Sequence, residues 1–149
     1  MCKLHIEPAS LSDVPIIMDM EQASDNADYI IPYQQQQHIQ QFQDSNSHYL
    51  KILLDKVVVG FILLVANTHQ KSVECRRIVV THKGQGIGQQ ALIEMEHFVK
   101  STLGFSRIWL DVFEHNQRGQ HIYGKLGYCA FDRGQHQGQP LVLMEKQLS

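Results

Sequence analysis

The sequence predicts a mixed α/β fold: a mostly antiparallel sheet of about seven strands with about four helices, in the order β-α-α-β-β-β-α-β-α-β-β. Three observations predict it. A helical stripe, Ile87, Ala91, Leu92, Met95, Phe98 and Val99, lies between two apolar β-like runs, so the middle of the chain is a strand–helix–strand crossover. Such crossovers join parallel strands. Upstream, two β-rich runs are separated only by Asp55-Lys56, the spacing of a tight antiparallel hairpin. There is no internal repeat or linker, and 149 residues suit one domain, expected here over 1–149.

Leu4 and Ile6 alternate with polar residues and stop at Pro8, giving a short first strand. Ser10-Leu11-Ser12-Asp13 has the form of a capping box, and Val14, Ile17 and Met18 give the helix behind it an apolar face. Asp25 to Pro32 is rich in turn residues. Gln34 to Phe42 is predicted helical, with Ile39 and Phe42 as apolar anchors; its glutamine run is compositional and is assigned no chemistry. Tyr49 to Leu54, Val57 to Ala66 and Val73 to Val80 are the second to fourth strands. The long helix that follows ends near Gly104. Phe105 to Phe113 is the fifth strand. Gln117 to Leu126 is a shorter helix with Asn116 as N-cap and Gly127 beyond its end. Tyr128 to Phe131 and Leu141 to Met144 close the chain as strands, with Asp132 to Pro140 expected as a Gly- and Gln-rich loop.

Composition excludes several functions. Hydrophobic residues at 43% and charged ones at 19% are ordinary for a globular protein. A net charge of −2 provides no basic field for a nucleic-acid backbone, so no nucleic acid is expected as partner. Cys2, Cys75 and Cys129 are odd in number and far apart, which fits free thiols in a reducing compartment. There is no CxxC pair, and the histidines are scattered, so no metal is expected. Met1 to Glu7 has no signal-peptide apolar region, and no run approaches the ~18 apolar residues of a membrane span. The expectation is a cytoplasmic protein with no membrane partner.

The run from Val79 to Leu92 carries the most chemistry. Gly84, Gly86 and Gly88 alternate through a loop that joins a strand to a helix. Free amides at a helix start, stripped of side-chain bulk, form an anion site. A phosphate loop of the nucleotide-hydrolase type needs Gly-Lys-Ser/Thr, but Gly88 is followed by Gln89-Gln90. A dinucleotide fingerprint needs G-x-G-x-x-G, and the glycine spacing here is wrong for it. A turn that merely connects the two elements remains the plain alternative.

A second segment narrows the choice. Lys83-Gly84-Gln85-Gly86-Ile87-Gly88 resembles the Arg/Gln-x-x-Gly-x-Gly/Ala signature of the GNAT superfamily of CoA-dependent N-acetyltransferases. Asn116 to Tyr128 resembles that family's Asn-x-x-Ala-x-x-x-Tyr-x-x-x-Gly-Phe segment, and the order of elements resembles the family's over almost the whole chain. Three positions depart from the pattern. Lys83 stands for Arg or Gln and keeps a charge without Arg's fork. Gly119 stands for Ala, and Tyr128 stands for Phe.

The resemblance implies an N-acetyltransferase that moves an acetyl group from acetyl-CoA to an amine, small or peptide-borne, by direct attack in a ternary complex. It implies that the pyrophosphate sits on the amides of Gln85, Gly86, Ile87, Gly88 and Gln89. The cofactor arm would pair with Ile78-Val79-Val80, placing an amide near Val79 or Val80 on the thioester oxygen. Asn116 either caps its helix, touches the cofactor arm, or does both. Tyr123 matches the family's general acid, the alternative being a core tyrosine that shares a face with Ile122 and Leu126. Glu74 is the candidate base, the alternative being an edge charge paired with Arg76 or Lys71. Strand alternation is expected to put Glu74, Arg76, Ile78 and Val80 on one face.

For the acceptor, Glu21, Tyr29 and Tyr33 are candidate contacts, together with Asp25 and Asp28. Acid beside aromatic suits a cationic amine, though a solvated turn gives the same pattern. Asp111, between Trp109 and Phe113, is a further candidate. A strand edge near Leu141 to Met144 leaves a monomer or a homodimer open. The rival functions are the same fold acting with a different acyl-CoA, and a CoA-binding or regulatory module without catalysis.

Overall fold

The computed structural model describes residues 4–23, 32–81 and 86–148. The strands are β1 (Leu4–Pro8), β2 (Ser47–Leu54), β3 (Val57–Asn67), β4 (Ser72–Val80), β5 (Arg107–Phe113), β6 (Cys129–His136) and β7 (Gln139–Gln147). The helices are α1 (Val14–Glu21), α2 (Gln35–Gln43), α3 (Ile87–Phe98) and α4 (Gln117–Lys125). One seven-stranded sheet runs β1-β2-β3-β4-β5-β7-β6, antiparallel except for the parallel pair β4–β5. The predicted order of elements is the observed one.

The sheet is covered on both faces. On one, Ile62, Leu64, Cys75, Ile108 and Val142 pack with Ala91, Leu92 and Met95 of α3. On the other, Phe61, Leu63 and Val79 pack with Ile17 and Met20 of α1. Strands β2 and β3 supply both cores, which is why β3 is an almost unbroken apolar run.

Local chemistry sets the joints. Asp55 and Lys56 both take positive φ, 51° and 73°, as a two-residue hairpin requires. Ser10 and Asp13 form the capping box, around a 3₁₀ turn (Leu11–Asp13) that precedes α1. Beyond α3 a wider π turn (Val99–Leu103) ends at Gly104, whose φ is 79°. Gly60 has a different reason: a Cβ there would lie 2.2 Å from the carbonyl oxygen of Val79 on the neighbouring strand. Gly60→Ala is therefore expected to cost at least about 1–3 kcal/mol, read as a lowered denaturation midpoint. An unchanged midpoint would show that the β3–β4 pair can yield there.

Two expectations are corrected. Asp132 to Pro140 is a hairpin rather than a loop: β6 and β7 pair from Cys129–Glu145 to His136–Gln139. Its turn is Gln137-Gly138, with φ of 50° and 82°. Every residue of β6 is exposed, so no apolar alternation marked it in the sequence. Consequently β7 lies inside the sheet between β5 and β6, and the open edge on that side is β6, not Leu141 to Met144.

Candidate active site

The site forms where the sheet parts. β4 and β5 run parallel but share only two residue pairs, Val73–Ile108 and Glu74–Trp109. Beyond them β4 continues to Val80 and β5 to Phe113 without pairing, so the strands open as a fork. The Thr81 amide donates to the Val59 carbonyl at 2.8 Å, toward β3. Alternation then aims the Val79 amide the same way and the polar groups of Ile78 and Val80 into the fork. Of the two expected amides, that of Val80 faces the opening.

The mouth of the fork is the start of α3. Gly86 takes φ 72° there, a conformation that side-chain-bearing residues rarely adopt, and its carbonyl accepts from the Gln90 amide at 3.1 Å. The amides of Ile87, Gly88 and Gln89 fall in the first helical turn, where no intrahelical acceptor serves them. Gly88 lies against Val80, 4.0 Å from where its Cβ would stand. Lys83, Gly84 and Gln85 lie outside the described residues.

Tyr123 approaches from the α3 face. The Asn116 side chain accepts from the Gly119 amide at 2.9 Å and so caps α4. A Cβ at residue 119 would sit 2.7 Å from that side chain, which gives Gly119 a role in admitting its own cap. One turn on, Ile122, Tyr123 and Leu126 pack against the core. The Tyr123 hydroxyl makes no hydrogen bond among the described residues, and burial, then Cys75 and Asp111, push its pKa up. The neighbouring Cys75 thiol is pushed up to about 12, mainly by burial. Tyr128, the third departure from the family pattern, donates to Glu96 at 3.0 Å, and Glu96 also holds Lys146 at 2.9 Å. Its hydroxyl thus ties the end of α4 to α3 and β7.

The carboxylates lie on the other face. Opposite Leu63 and Leu64, the register of β4 slips by one residue at Arg76, a β-bulge. The expected shared face of Glu74, Ile78 and Val80 is thereby corrected. The bulge reverses the alternation, so Glu74 faces the same way as Arg77 and Val79, toward α1 and α2. Arg76 donates to one Glu74 oxygen, Oε1, from Nη2 at 2.9 Å and from Nε at 3.3 Å, and to Gln41 of α2 at 3.3 Å. Asp111 stands across the fork on β5. It shares its face with Trp109 and Phe113, and Leu143 of β7 is its cross-strand partner. Its outer side reaches solvent. Burial of the carboxyl, then the Glu74 charge, push its pKa up, while His136, Arg76 and Arg77 pull it down.

Glu21 is not placed to meet an acceptor, which corrects that expectation. It is fully buried, and both oxygens are occupied. Oε1 takes His38 Nε2 at 2.6 Å and the Tyr33 amide at 3.2 Å; Oε2 takes Arg77 Nη1 at 2.9 Å. His38 meets the Tyr49 hydroxyl at 2.6 Å through its other nitrogen. The Arg77 guanidinium lies 3.8 Å above the Tyr33 ring. Tyr33 therefore stands at the rim of this network, and Tyr29, Asp25 and Asp28 lie outside the described residues. Sequence reasoning named Arg76 as a partner for Glu74, as the structure has it, and missed Arg77, Gln41 and His38. Two consecutive arginines inside an apolar strand were the available signal, since a bulge is what lets both find partners.

Among the described residues, no three His, Cys, Asp or Glu are grouped to hold a metal ion. No described helix is long and apolar enough to cross a membrane.

The comparisons agree with this geometry. A family model described as the Acetyltransferase (GNAT) family matches residues 15–128. No curated protein matches the sequence. Among solved structures, the ribosomal-protein-S18-alanine N-acetyltransferase from Escherichia coli superposes with a TM-score of 0.83, over 99% of this chain and 95% of that one, at 15% identity. The spermidine N-acetyltransferase from Vibrio cholerae, in complex with CoA and spermine, gives a TM-score of 0.83 over 97% and 95%, at 17% identity. At such identities the likeness is one of fold.

Proposed function

The chain belongs to the GNAT acetyltransferase family, and on that premise we propose that it transfers an acetyl group from acetyl-CoA to a primary amine by direct attack. The observation that carries this reading is the fork, which has a tyrosine hydroxyl on one face and carboxylates on the other. The residues present fit the donor. Unpaired strand groups of Ile78 and Val80 can take the cofactor arm, and the α3 amides can take its pyrophosphate. Asn116, engaged as a cap, still has its Nδ2 to offer.

The chemistry then divides between the faces. An ammonium arriving on the α1–α2 side must lose a proton before its lone pair can attack. Glu74 Oε2 is free of the Arg76 contacts and is the proposed acceptor, directly or through a water. The nitrogen attacks the thioester carbon, and the Val80 amide stabilises the charge that grows on the carbonyl oxygen. The C–S bond breaks, the sulfur takes a proton from Tyr123, and the second proton shed by the nitrogen as the amide forms returns to the phenolate through water. A raised pKa does not disqualify this donor. It keeps the hydroxyl protonated, and a donor must hold its proton until the sulfur leaves.

The acceptors named for the two neighbours, a polyamine and a ribosomal-protein alanine, are both amines. The test is release of free thiol from acetyl-CoA against a panel of amines and peptides. CoA binding with no release on any acceptor would favour a binding module instead. Glu74→Gln is expected to abolish the acid limb of the pH profile of kcat/KM. A profile identical to the wild type would remove Glu74 from the role of base.

A further inference from the structure

An arginine beside a carboxylate commonly takes both oxygens, in two parallel N–H···O bonds. Arg76 does not. Its Nη2 and Nε both donate to Glu74 Oε1, at 2.9 and 3.3 Å, and neither reaches Oε2. The far side of the guanidinium is also held. Nη1 donates to Gln41 Oε1 at 3.3 Å, and Gln41 Nε2 donates in turn to the Ser47 hydroxyl at the start of β2. Gln41 stands in the last turn of α2, so the chain Ser47–Gln41–Arg76–Glu74 crosses from β2 through α2 to the bulge of β4. Glutamine suits the middle of such a chain. Its amide offers an acceptor and a donor at once, and it adds no charge to compete with Glu74 for the arginine.

We propose that Gln41 is a positioning residue for the base: by holding Nη1 of Arg76 it confines the guanidinium to one oxygen of Glu74 and leaves Oε2 open to the acceptor's proton. This rests on the acetyltransfer reading above, with Glu74 as base. Without Gln41 the guanidinium is free to pivot into the two-bond arrangement and cover Oε2. Ser47 holds the other end of the amide and acts one step further out. Other charged or titratable groups surround Glu74. Arg77 shares its face of β4, Asp111 stands on β5 with His136 of β6 acting on it, and Tyr33 lies beside Arg76. Glu21 of α1 and His38 of α2 are engaged with Arg77 and with each other. Asp44 lies past Gln41, in the groove that both line with Tyr33, Gln37 and Gln40. Among these described groups, only Arg76 hydrogen-bonds the Glu74 carboxylate.

The test is thiol release by the intact protein at saturating acetyl-CoA, with the best acceptor from the amine and peptide panel used throughout, so that its own ionisation is common to every pH profile. Gln41→Met keeps the length of the side chain and removes both hydrogen bonds. It is expected to lower kcat by about tenfold, a part of what a general base supplies, with the KM for acetyl-CoA unchanged. Its acid limb in kcat/KM should move to lower pH, because a carboxylate gripped through both oxygens is harder to protonate. Gln41→Glu keeps an acceptor for Nη1 and should restore kcat to within about threefold of the wild type. Its added charge draws on Arg76 and should move the acid limb the opposite way, to higher pH. A residue that only fastens α2 to the sheet would lower the urea midpoint in both variants and leave the limb where it was. Limbs that coincide with the wild type in both variants, or that move in the same direction, would overturn the positioning role and leave acetyl transfer standing. Absence of thiol release by the wild type with every acceptor would overturn both.

Discussion

Tyr123→Phe is expected to lower kcat by roughly 10²-fold while CoA binding stays at the wild-type level. The substitution removes one oxygen and leaves the ring, which packs against the core and meets Tyr128 edge-on at 6.0 Å. Because the hydroxyl makes no hydrogen bond among the described residues, its loss should leave stability nearly unchanged. That separates a proton donor from a core tyrosine. Stability stays nearly unchanged under either role; a core role predicts normal turnover, and the donor role predicts its loss. Turnover at the wild-type rate, measured by thiol release with a saturating amine, would rule Tyr123 out as the acid. The leaving sulfur would then be protonated by water.

Glu21→Ala is expected to cost roughly 3–5 kcal/mol of folding stability, because it strands a buried cation. Arg77 would keep its place among α1, α2 and β4 with its carboxylate gone. His38 and the Tyr33 amide would lose their acceptor as well. Against a typical total of about 5–15 kcal/mol this is a large fraction, and urea unfolding would show it directly. The double variant Glu21→Leu, Arg77→Met should recover much of the loss, since an apolar pair of similar volume carries no unpaired charge. If both variants unfold at the same midpoint, the carboxylate is stabilising through His38 and Tyr33 rather than through the ion pair.

The two residues show how unequally a sequence discloses its structure. Tyr123 was legible because it stands at a fixed distance from a cap residue and from a glycine, on a helix whose apolar face is periodic. Local spacing sufficed. Glu21 was legible only as an acid near aromatics. Its partners lie 17 and 56 residues away, and nothing local distinguishes a solvated acid from a buried one. The same contrast holds for strands. β3 was plain because both its faces are buried, whereas β6 buries neither and was read as a loop. Asp111 was placed correctly between two aromatic residues. What the sequence could not show was that its neighbour Glu74 would join it on that face of the sheet.

That meeting depends on arithmetic as much as on chemistry. In a regular strand, a residue's side is decided by whether its distance from a reference is odd or even. Arg76 adds one to the count on β4 and to nothing on β3. Any substitution at Arg76 that tolerates the bulge keeps Glu74 at the fork. Losing the residue altogether would leave Cys75 opposite Leu64 and Arg77 opposite Leu63 in an unbroken ladder, so every neighbouring side chain would keep its side. Glu74 would stay on the face it shares with Arg77 and Val79, and what it would lose is its Arg76 partner. A single-codon deletion at the bulge would thus keep the arrangement of the fork, whereas straightening the strand with all its residues retained would send Glu74 to the opposite side.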